Sequence, residues 1–100
     1  MEKEENIILN LVKYMNGEEY DYNGILKYEG KYANGKRDGK GKEYYDNNTI
    51  EYEGEYANEK RNGKGKEYYY DGKIMYEGEY LNGKRWNVKD IIREIILNLK

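Results

Sequence analysis

The chain has 100 residues, which is the size of one domain, and its 18 basic and 20 acidic residues leave a formal net charge of -2. That balance argues against nucleic acid as a partner, because phosphate binding requires a clear basic excess. The chain has no Cys, which excludes a disulfide framework and a thiolate metal site, and it has no His. Fourteen tyrosines accompany nine Ile, six Leu, two Val and no Phe, so the expected core is thin and aromatic.

The first segment, residues 1–16, carries the apolar stretch "IILNL" at Ile7–Leu11 behind an acidic start. This is the wrong shape for a secretory signal, and no apolar run is long enough to span a membrane. We therefore expect a cytoplasmic protein. The alternation of the stretch favours a strand, which would form an N-terminal cap.

A five-residue pattern then recurs at a spacing of 24 residues. It reads "YEGKY" at Tyr28–Tyr32 and "YEGEY" at Tyr52–Tyr56 and Tyr76–Tyr80. A fixed period of this length is typical of repeat architectures. The repeats occupy residues 17–86, as a half unit 17–27, full units 28–51 and 52–75, and a partial unit 76–86.

Within a unit the residues alternate with a period of two, so Tyr52, Gly54 and Tyr56 share one face of a strand. The stretch "NEKRNG" provides a connection, "KGKEYYY" a second strand, and Asp71–Gly72 a tight turn. The pattern predicts an all-β fold: a single-layer antiparallel β-meander of repeated hairpins, with seven or eight strands.

Two details of the hairpin follow from this alternation. Gly54 lies between two tyrosines, and we expect a ring from a neighbouring strand to cover its bare backbone. The register that we predict places Glu55 opposite Lys66, and in the first unit it places Lys31 opposite Lys42.

The unit "YEGEYANEKRNGKGKEYYYDG" resembles the MORN repeat, in its variant form with paired tyrosines. The resemblance covers roughly residues 17–86. It implies hairpin repeats that serve as scaffolds for a partner helix, that dimerise, or that contact phosphoinositide membranes. Glu59 stands where Gly35 and Gly83 stand, and Asn87 stands where other units have glycine, so we expect the third unit to break after Arg85.

Residues 87–100 form a C-terminal cap. Ile91, Ile92, Ile95 and Leu99 are spaced as on one face of a helix, which Asn87 would cap. So many isoleucines also suit a strand, and both possibilities stay open. The two caps are expected to cover the open edges of the sheet.

The chain offers few groups for catalysis. Without His, Cys or Ser, the usual nucleophiles and bases are absent. Glu43, Glu53 and Glu67 are candidate acid–base carboxylates, but we interpret them as solvated charges on the outer face of a strand. We therefore predict a protein that is not an enzyme and that has no catalytic residue, metal or cofactor.

Two sets of residues are candidates for binding. One is a continuous row of tyrosines that we predict to bind another protein or a second copy, although such rings can equally form the core: Tyr28, Tyr32, Tyr52, Tyr56, Tyr76 and Tyr80. The other is a row of basic loop dyads, suited to anionic phospholipid headgroups such as phosphoinositides: Lys36, Arg37, Lys60, Arg61, Lys84 and Arg85. The first set predicts a protein-interaction scaffold, and the second predicts a peripheral membrane module.

Overall fold

The computed structural model describes residues 14–99 and contains seven strands and one helix. The elements, in chain order, are β1 (Tyr14–Tyr20), β2 (Leu26–Ala33), β3 (Lys36–Tyr44), β4 (Ile50–Ala57), β5 (Lys60–Tyr68), β6 (Ile74–Leu81), β7 (Lys84–Trp86) and α1 (Val88–Asn98). The strands form one antiparallel sheet in which each strand pairs with the next along the chain. The predicted single-layer meander is confirmed.

Each hairpin within a unit closes with a two-residue turn, and the two residues of every turn have positive φ. The φ angles are 55° and 77° at Asn34 and Gly35, and 50° and 79° at Asn58 and Glu59. Asn and Gly tolerate this conformation, which matches the twist of the flanking strands. The turns are shorter than expected, so the prediction that the Lys–Arg dyads lie in loops is wrong. Lys36, Lys60 and Lys84 are the first residues of β3, β5 and β7.

Glu59 is the position where the turn departs from Asn–Gly, and Glu59→Gly is expected to stabilise the protein. Removing a side chain at this φ relieves strain of about 1–2 kcal/mol. The greater conformational freedom of glycine in the unfolded chain offsets about 0.4–1 kcal/mol of that stabilisation. We expect the melting temperature to rise by about 3 °C in a thermal melt. Glu59→Ala removes the same carboxylate without relieving the backbone, so it should not raise the melting temperature. Equal melting temperatures for the two variants would contradict this explanation.

The register of the hairpins differs from the predicted one. Glu53 lies opposite Lys66, and Glu29 lies opposite Lys42. The predicted Glu55–Lys66 and Lys31–Lys42 pairs are wrong because the hairpin turns have two residues where a six-residue connection was expected. A bulge makes up part of the difference: between the pairs Tyr56–Arg61 and Gly54–Gly65, β4 advances by two residues and β5 by four, which moves the pairs beyond it by two positions. The observed register places opposite charges across the hairpins.

The third unit ends early, as the substitution at Asn87 indicates. β7 is three residues long and ends at Trp86, one residue beyond the predicted break. The chain then forms α1, so the alternative of a C-terminal helix is the correct one. The Asn87 carbonyl accepts the first helical hydrogen bond, from the Ile91 N–H at 3.0 Å.

The role of the two ends as caps stays a prediction. The predicted N-terminal cap, residues 1–16, lies outside the described residues except for the start of β1. Ile91 is partly buried, but five other apolar side chains of α1 and of the residue after it are half exposed or more, which leaves them uncovered among the described residues: Ile92, Ile95, Ile96, Leu97 and Leu99. No described helix is both long and apolar enough to cross a membrane.

Candidate functional site

The six predicted tyrosines come together on one side of the sheet, which we call the tyrosine face. Their rings form one continuous chain with centroid separations of 5.1–5.5 Å, in the order Tyr32, Tyr28, Tyr56, Tyr52, Tyr80 and Tyr76. Four of them are buried, namely Tyr28, Tyr52, Tyr56 and Tyr80. They form the hydrophobic core, with Tyr76 packed against it. A role for these tyrosines in binding a partner stays a prediction.

The glycines between the tyrosines allow the rings to lie flat on the backbone. A Cβ atom added to Gly65 would lie 2.5 Å from the Tyr52 ring, and one added to Gly54 would lie 2.5 Å from the Tyr52 hydroxyl. The ring over Gly54 thus comes from the same strand and not, as predicted, from a neighbouring one. The Tyr52 hydroxyl donates to the Glu55 carbonyl at 2.9 Å. Burial of the hydroxyl raises the pKa of Tyr52 to about 12.

The arginines of the three dyads lie over these rings. The guanidinium carbon of Arg37 is 4.3 Å from the Tyr28 centroid, and that of Arg61 is 4.4 Å from the Tyr52 centroid. Arg85 lies 4.9 Å from the Tyr76 centroid at the end of the row. A cation at this distance is attracted to the face of the ring. Arg37 and Arg61 are therefore packed on the core of the sheet, whereas Arg85 is more exposed.

Sequence reasoning missed the partners of these arginines, which are Glu19, Glu43 and Glu67. The Nε atom of Arg61 lies 2.7 Å from Glu43 Oε2, and Arg85 Nε lies 2.8 Å from Glu67 Oε1. Each glutamate also accepts a tyrosine hydroxyl, as Glu67 does from Tyr80 at 2.6 Å. Glu43 and Glu67 are thus not the solvated charges that we expected.

A constant offset in the sequence would have revealed this network. Each glutamate precedes its tyrosine by 13 residues and its arginine by 18. The same offsets recur in successive units, which indicates a contact that repeats with the fold. Within residues 14–99, no cluster of three or more acidic side chains is placed to hold a metal ion.

The network makes stability depend on pH at the acid end. The hydrogen bond from Arg85 holds the pKa of Glu67 below its ordinary value of 4.5. A carboxyl group with a lowered folded-state pKa stabilises the fold above the unfolded-state value, and this contribution is lost as pH falls through the folded-state value. We expect the melting temperature to fall below about pH 4.5, and to fall less steeply in Glu67→Gln. Parallel melting profiles for the two proteins between pH 7 and pH 3 would contradict this role.

The lysines of the dyads differ from the arginines. Lys36, Lys60 and Lys84 are exposed, along the edge of the sheet that carries the two-residue turns. Successive units are joined at this edge, because the Glu59 N–H donates to the Arg37 carbonyl at 2.9 Å. Lipid binding by the dyads stays a prediction, with the lysines as the exposed members.

The opposite side of the sheet holds a groove of about 1240 Å³ that sequence reasoning did not predict. Its floor is the backbone of glycines that lie in register across β1 to β6: Gly17, Gly30, Gly41, Gly54, Gly65 and Gly78. The residues before and after each glycine point away from the tyrosines and form the two walls. The groove therefore runs across the strands.

The walls of the groove alternate in charge from strand to strand. One wall consists of Glu18, Glu29, Lys42, Glu53, Lys66 and Glu77, and its charges alternate from Glu29 onward. On the other wall, Lys40 lies opposite Glu55 and Lys64 lies opposite Glu79. The Lys66 ammonium is 3.4 Å from the Glu77 carboxylate, and the two side chains are 42 % and 60 % exposed. The groove thus has a narrow floor without side chains and charged rims of both signs.

Comparisons with known proteins agree with this architecture. The model of the MORN repeat matches residues 28–50, 52–74 and 76–87, and that of the MORN repeat variant matches residues 15–34. A comparison with curated proteins found no match. MORN repeats are non-catalytic modules, generally associated with interactions with proteins or membrane lipids. Because the repeat model covers more than half of its residues, the chain belongs to the MORN repeat family.

Proposed function

We propose that this chain is a non-catalytic protein-interaction module that holds a helical segment of another protein in its groove. The observation that carries the proposal is the floor of glycine backbone between charged walls. The side-chain direction at these positions is toward the tyrosine face, so only backbone lines the floor of the groove and a partner can approach it closely. On the other face, the buried tyrosine rings pack on one another.

The direction of the groove favours a helix over an extended segment. The floor crosses the strands, and the N–H and C=O groups of the strands already pair with their neighbours in the ladder. An extended partner would find few backbone partners there, whereas a helix satisfies its own backbone groups. The partner therefore contributes side chains to the contact.

The dimensions and charges define the segment. Six strands give five spacings of about 4.8 Å, or about 24 Å along the floor. A helix of this length has about 16 residues. Its central stripe carries small or apolar residues to fit the floor, and its flanks carry both signs of charge to match the walls.

The predicted tyrosine site fits this proposal as its support. Tyr56 and Tyr80 are buried, and their hydroxyls are bonded to Glu43 and Glu67. Substituting these tyrosines would destabilise the sheet, and any effect on binding would follow from that loss of stability. The residues that we assign to binding are therefore the wall residues of the groove.

The test is a selection of helical peptides of about 16 residues from a displayed library, followed by mapping of amide chemical shifts. We expect the shifts to fall on Gly41, Gly54 and Gly65. Lys66→Glu in the wall should weaken the selected peptide about tenfold. Lys73→Glu, which makes the same charge change at an exposed turn, should leave binding within about twofold. Shifts elsewhere, or equal effects of the two variants, would contradict the groove.

A peripheral membrane module is the second candidate, and the exposed lysines Lys36, Lys60 and Lys84 on one edge favour it. Its test is co-sedimentation with phosphoinositide vesicles and with neutral vesicles at two salt concentrations. Binding that is salt-sensitive, and that Lys60→Glu weakens while Lys73→Glu does not, would support this candidate. Absence of pelleting at low salt would remove it. Arg61 is not a suitable site for this test because it lies in the core network.

A further inference from the structure

The outer edge of β6 is open along most of its length. β6 pairs with β5 from Ile74 to Tyr80, but with β7 only from Glu79 to Leu81. In β4, the segment from Tyr52 to Gly54 is paired on both sides. Among residues 14–99, the stretch Ile74–Gly78 thus has backbone groups that face outward without a strand beside them. An open edge of this kind is a template for another strand.

The side chains at this edge are more exposed than their counterparts in the inner unit. Tyr76 is partly exposed, whereas its counterpart Tyr52 is fully buried. Glu77 is exposed, whereas Glu53 is partly buried. The Arg85 side chain is 43 % exposed, against 18 % for Arg61. Each loss of burial occurs where the second strand of the third unit would lie.

The ion-pair network is incomplete at both ends of the sheet. Glu43 lies within 4 Å of two arginines, Arg37 and Arg61, and Glu67 likewise contacts Arg61 and Arg85. In the part of the chain that the structure describes, Glu19 contacts one arginine, and Arg85 contacts one glutamate. The β1 end therefore lacks an arginine, and the β6 end lacks a glutamate.

The two ends are complementary because β1 has the sequence of a second strand. Its "GEEY" at Gly17–Tyr20 corresponds to "GKEY" at Gly41–Tyr44 and Gly65–Tyr68. β1 pairs with β2 as β3 pairs with β4, through glycine opposite glycine. Its other edge is the one through which β3 pairs with β2, and it is also the edge that the cap predicted in residues 1–16 would cover, so docking there takes the place of that cap.

We propose that β1 of a second copy of this chain docks on the open edge of β6 and completes the third unit. Gly17 of one copy then lies opposite Gly78 of the other, and Glu19 becomes the second carboxylate of Arg85. Both the glycine floor and the glutamate–arginine row continue across the join. Such a contact uses different surfaces on the two copies, so it repeats head to tail and builds an open array.

The same register predicts that the contact of the natural sequence is weak. It places Glu18 opposite Glu77, where the inner units have Lys42 opposite Glu29 and Lys66 opposite Glu53. Like charges directly across a strand pair oppose pairing. The strand that enters is short, because β7 already fills the rest of the edge. Association is therefore expected to be weak, with a dissociation constant of about 0.1–1 mM, as for a small interface.

The test is a charge cycle on these two residues, followed by sedimentation velocity over a range of concentrations. E18K converts the repulsive pair into an attractive one and should strengthen association about tenfold. E77K makes the same conversion, but it also breaks the Lys66–Glu77 ion pair within the sheet, so its gain should be smaller. The double variant E18K/E77K places two lysines opposite each other and should return to the level of the natural sequence. High salt should reduce the gain of both single variants.

D38K is the control, because it changes the net charge as the single variants do at an exposed position in the middle of the sheet. It should associate no more than the natural sequence. Three results would overturn the proposal: E18K behaving like D38K, the double variant associating as strongly as the single variants, or all proteins remaining monomeric at about 1 mM. Pairing of β6 with β6 of a second copy would give the first of these results, since Glu18 takes no part in it.

Discussion

Replacing Tyr52 with alanine is expected to lower the free energy of unfolding by about 3–5 kcal/mol, the range for removing a buried aromatic side chain. Tyr52 is fully buried, and its ring lies 5.4 Å from Tyr56 and 5.1 Å from Tyr80. It also lies under the guanidinium of Arg61. Its loss opens the centre of a core that has no second layer to collapse into the space. A domain of this size has about 5–15 kcal/mol of total stability, so a large part of it would be lost.

Urea unfolding of three variants separates the contributions of the Tyr52 ring. Tyr52→Phe keeps the ring but loses the hydrogen bond to the Glu55 carbonyl, which is worth about 1 kcal/mol. Tyr22→Ala removes a tyrosine that is 98 % exposed, and its effect should stay within about 0.5 kcal/mol. A cost for Tyr52→Ala no greater than that for Tyr22→Ala would show that the tyrosine chain does not hold the sheet together.

The fold was predictable because the strongest signals are periodic. A constant spacing of 24 residues identifies the repeat, and alternation between Tyr52 and Tyr56 identifies the strand and its two faces. Both patterns predict the same strands even when the length of a turn is misjudged by one residue. They led to the single-layer meander without knowledge of any contact.

The contacts were less predictable because bulges change the phase of the alternation. The irregularity after Gly54 shifts the partner of every later residue, and the one between Glu43 and Tyr44 does the same on the next pair. The prediction misplaced Glu55 because it assumed a six-residue connection, and it assigned Glu43 to the solvated outer face although Glu43 lies directly opposite Tyr52 on the tyrosine face. The contacts of Glu19, Glu43 and Glu67 with arginines join residues that are distant in the sequence. The only trace of these contacts in the sequence is the constant offset of 18 residues between each glutamate and its arginine.

The two faces of the sheet divide stability from recognition. On the tyrosine face, the charged groups of Arg61 and Glu43 pair with each other and with rings. On the groove face, Lys66 and Glu77 remain partly exposed. An exposed pair contributes little to stability, so these two wall residues can change with a partner at little cost to the fold, whereas Glu29 and Glu53 accept the hydroxyls of Tyr44 and Tyr68. This division is the reason that we assign binding to the groove.

The glycine floor gives the second large effect, because Gly54→Ala is expected to cost about 3 kcal/mol or more, as for severe overpacking. A Cβ atom at Gly54 would lie 2.5 Å from the Lys64 carbonyl oxygen and 2.6 Å from the Gly65 Cα atom. Both are backbone atoms of the neighbouring strand, so relief requires β4 and β5 to separate. The Tyr52 hydroxyl is also 2.5 Å away, so the Tyr52 ring, which lies on the tyrosine face, would have to move as well.

Two comparisons distinguish this clash from the general cost of replacing glycine. Gly72→Ala places a Cβ atom no closer than 4.0 Å to another group, but at a φ of 90°, so it should cost about 1–2 kcal/mol from backbone strain alone. Tyr52→Phe in the Gly54→Ala background removes the clash with the hydroxyl and leaves those with Lys64 and Gly65. It should therefore not restore stability in urea unfolding. Restoration would mean that the tyrosine ring sets the requirement for glycine at this position, whereas continued loss would assign it to the close approach of the two strands.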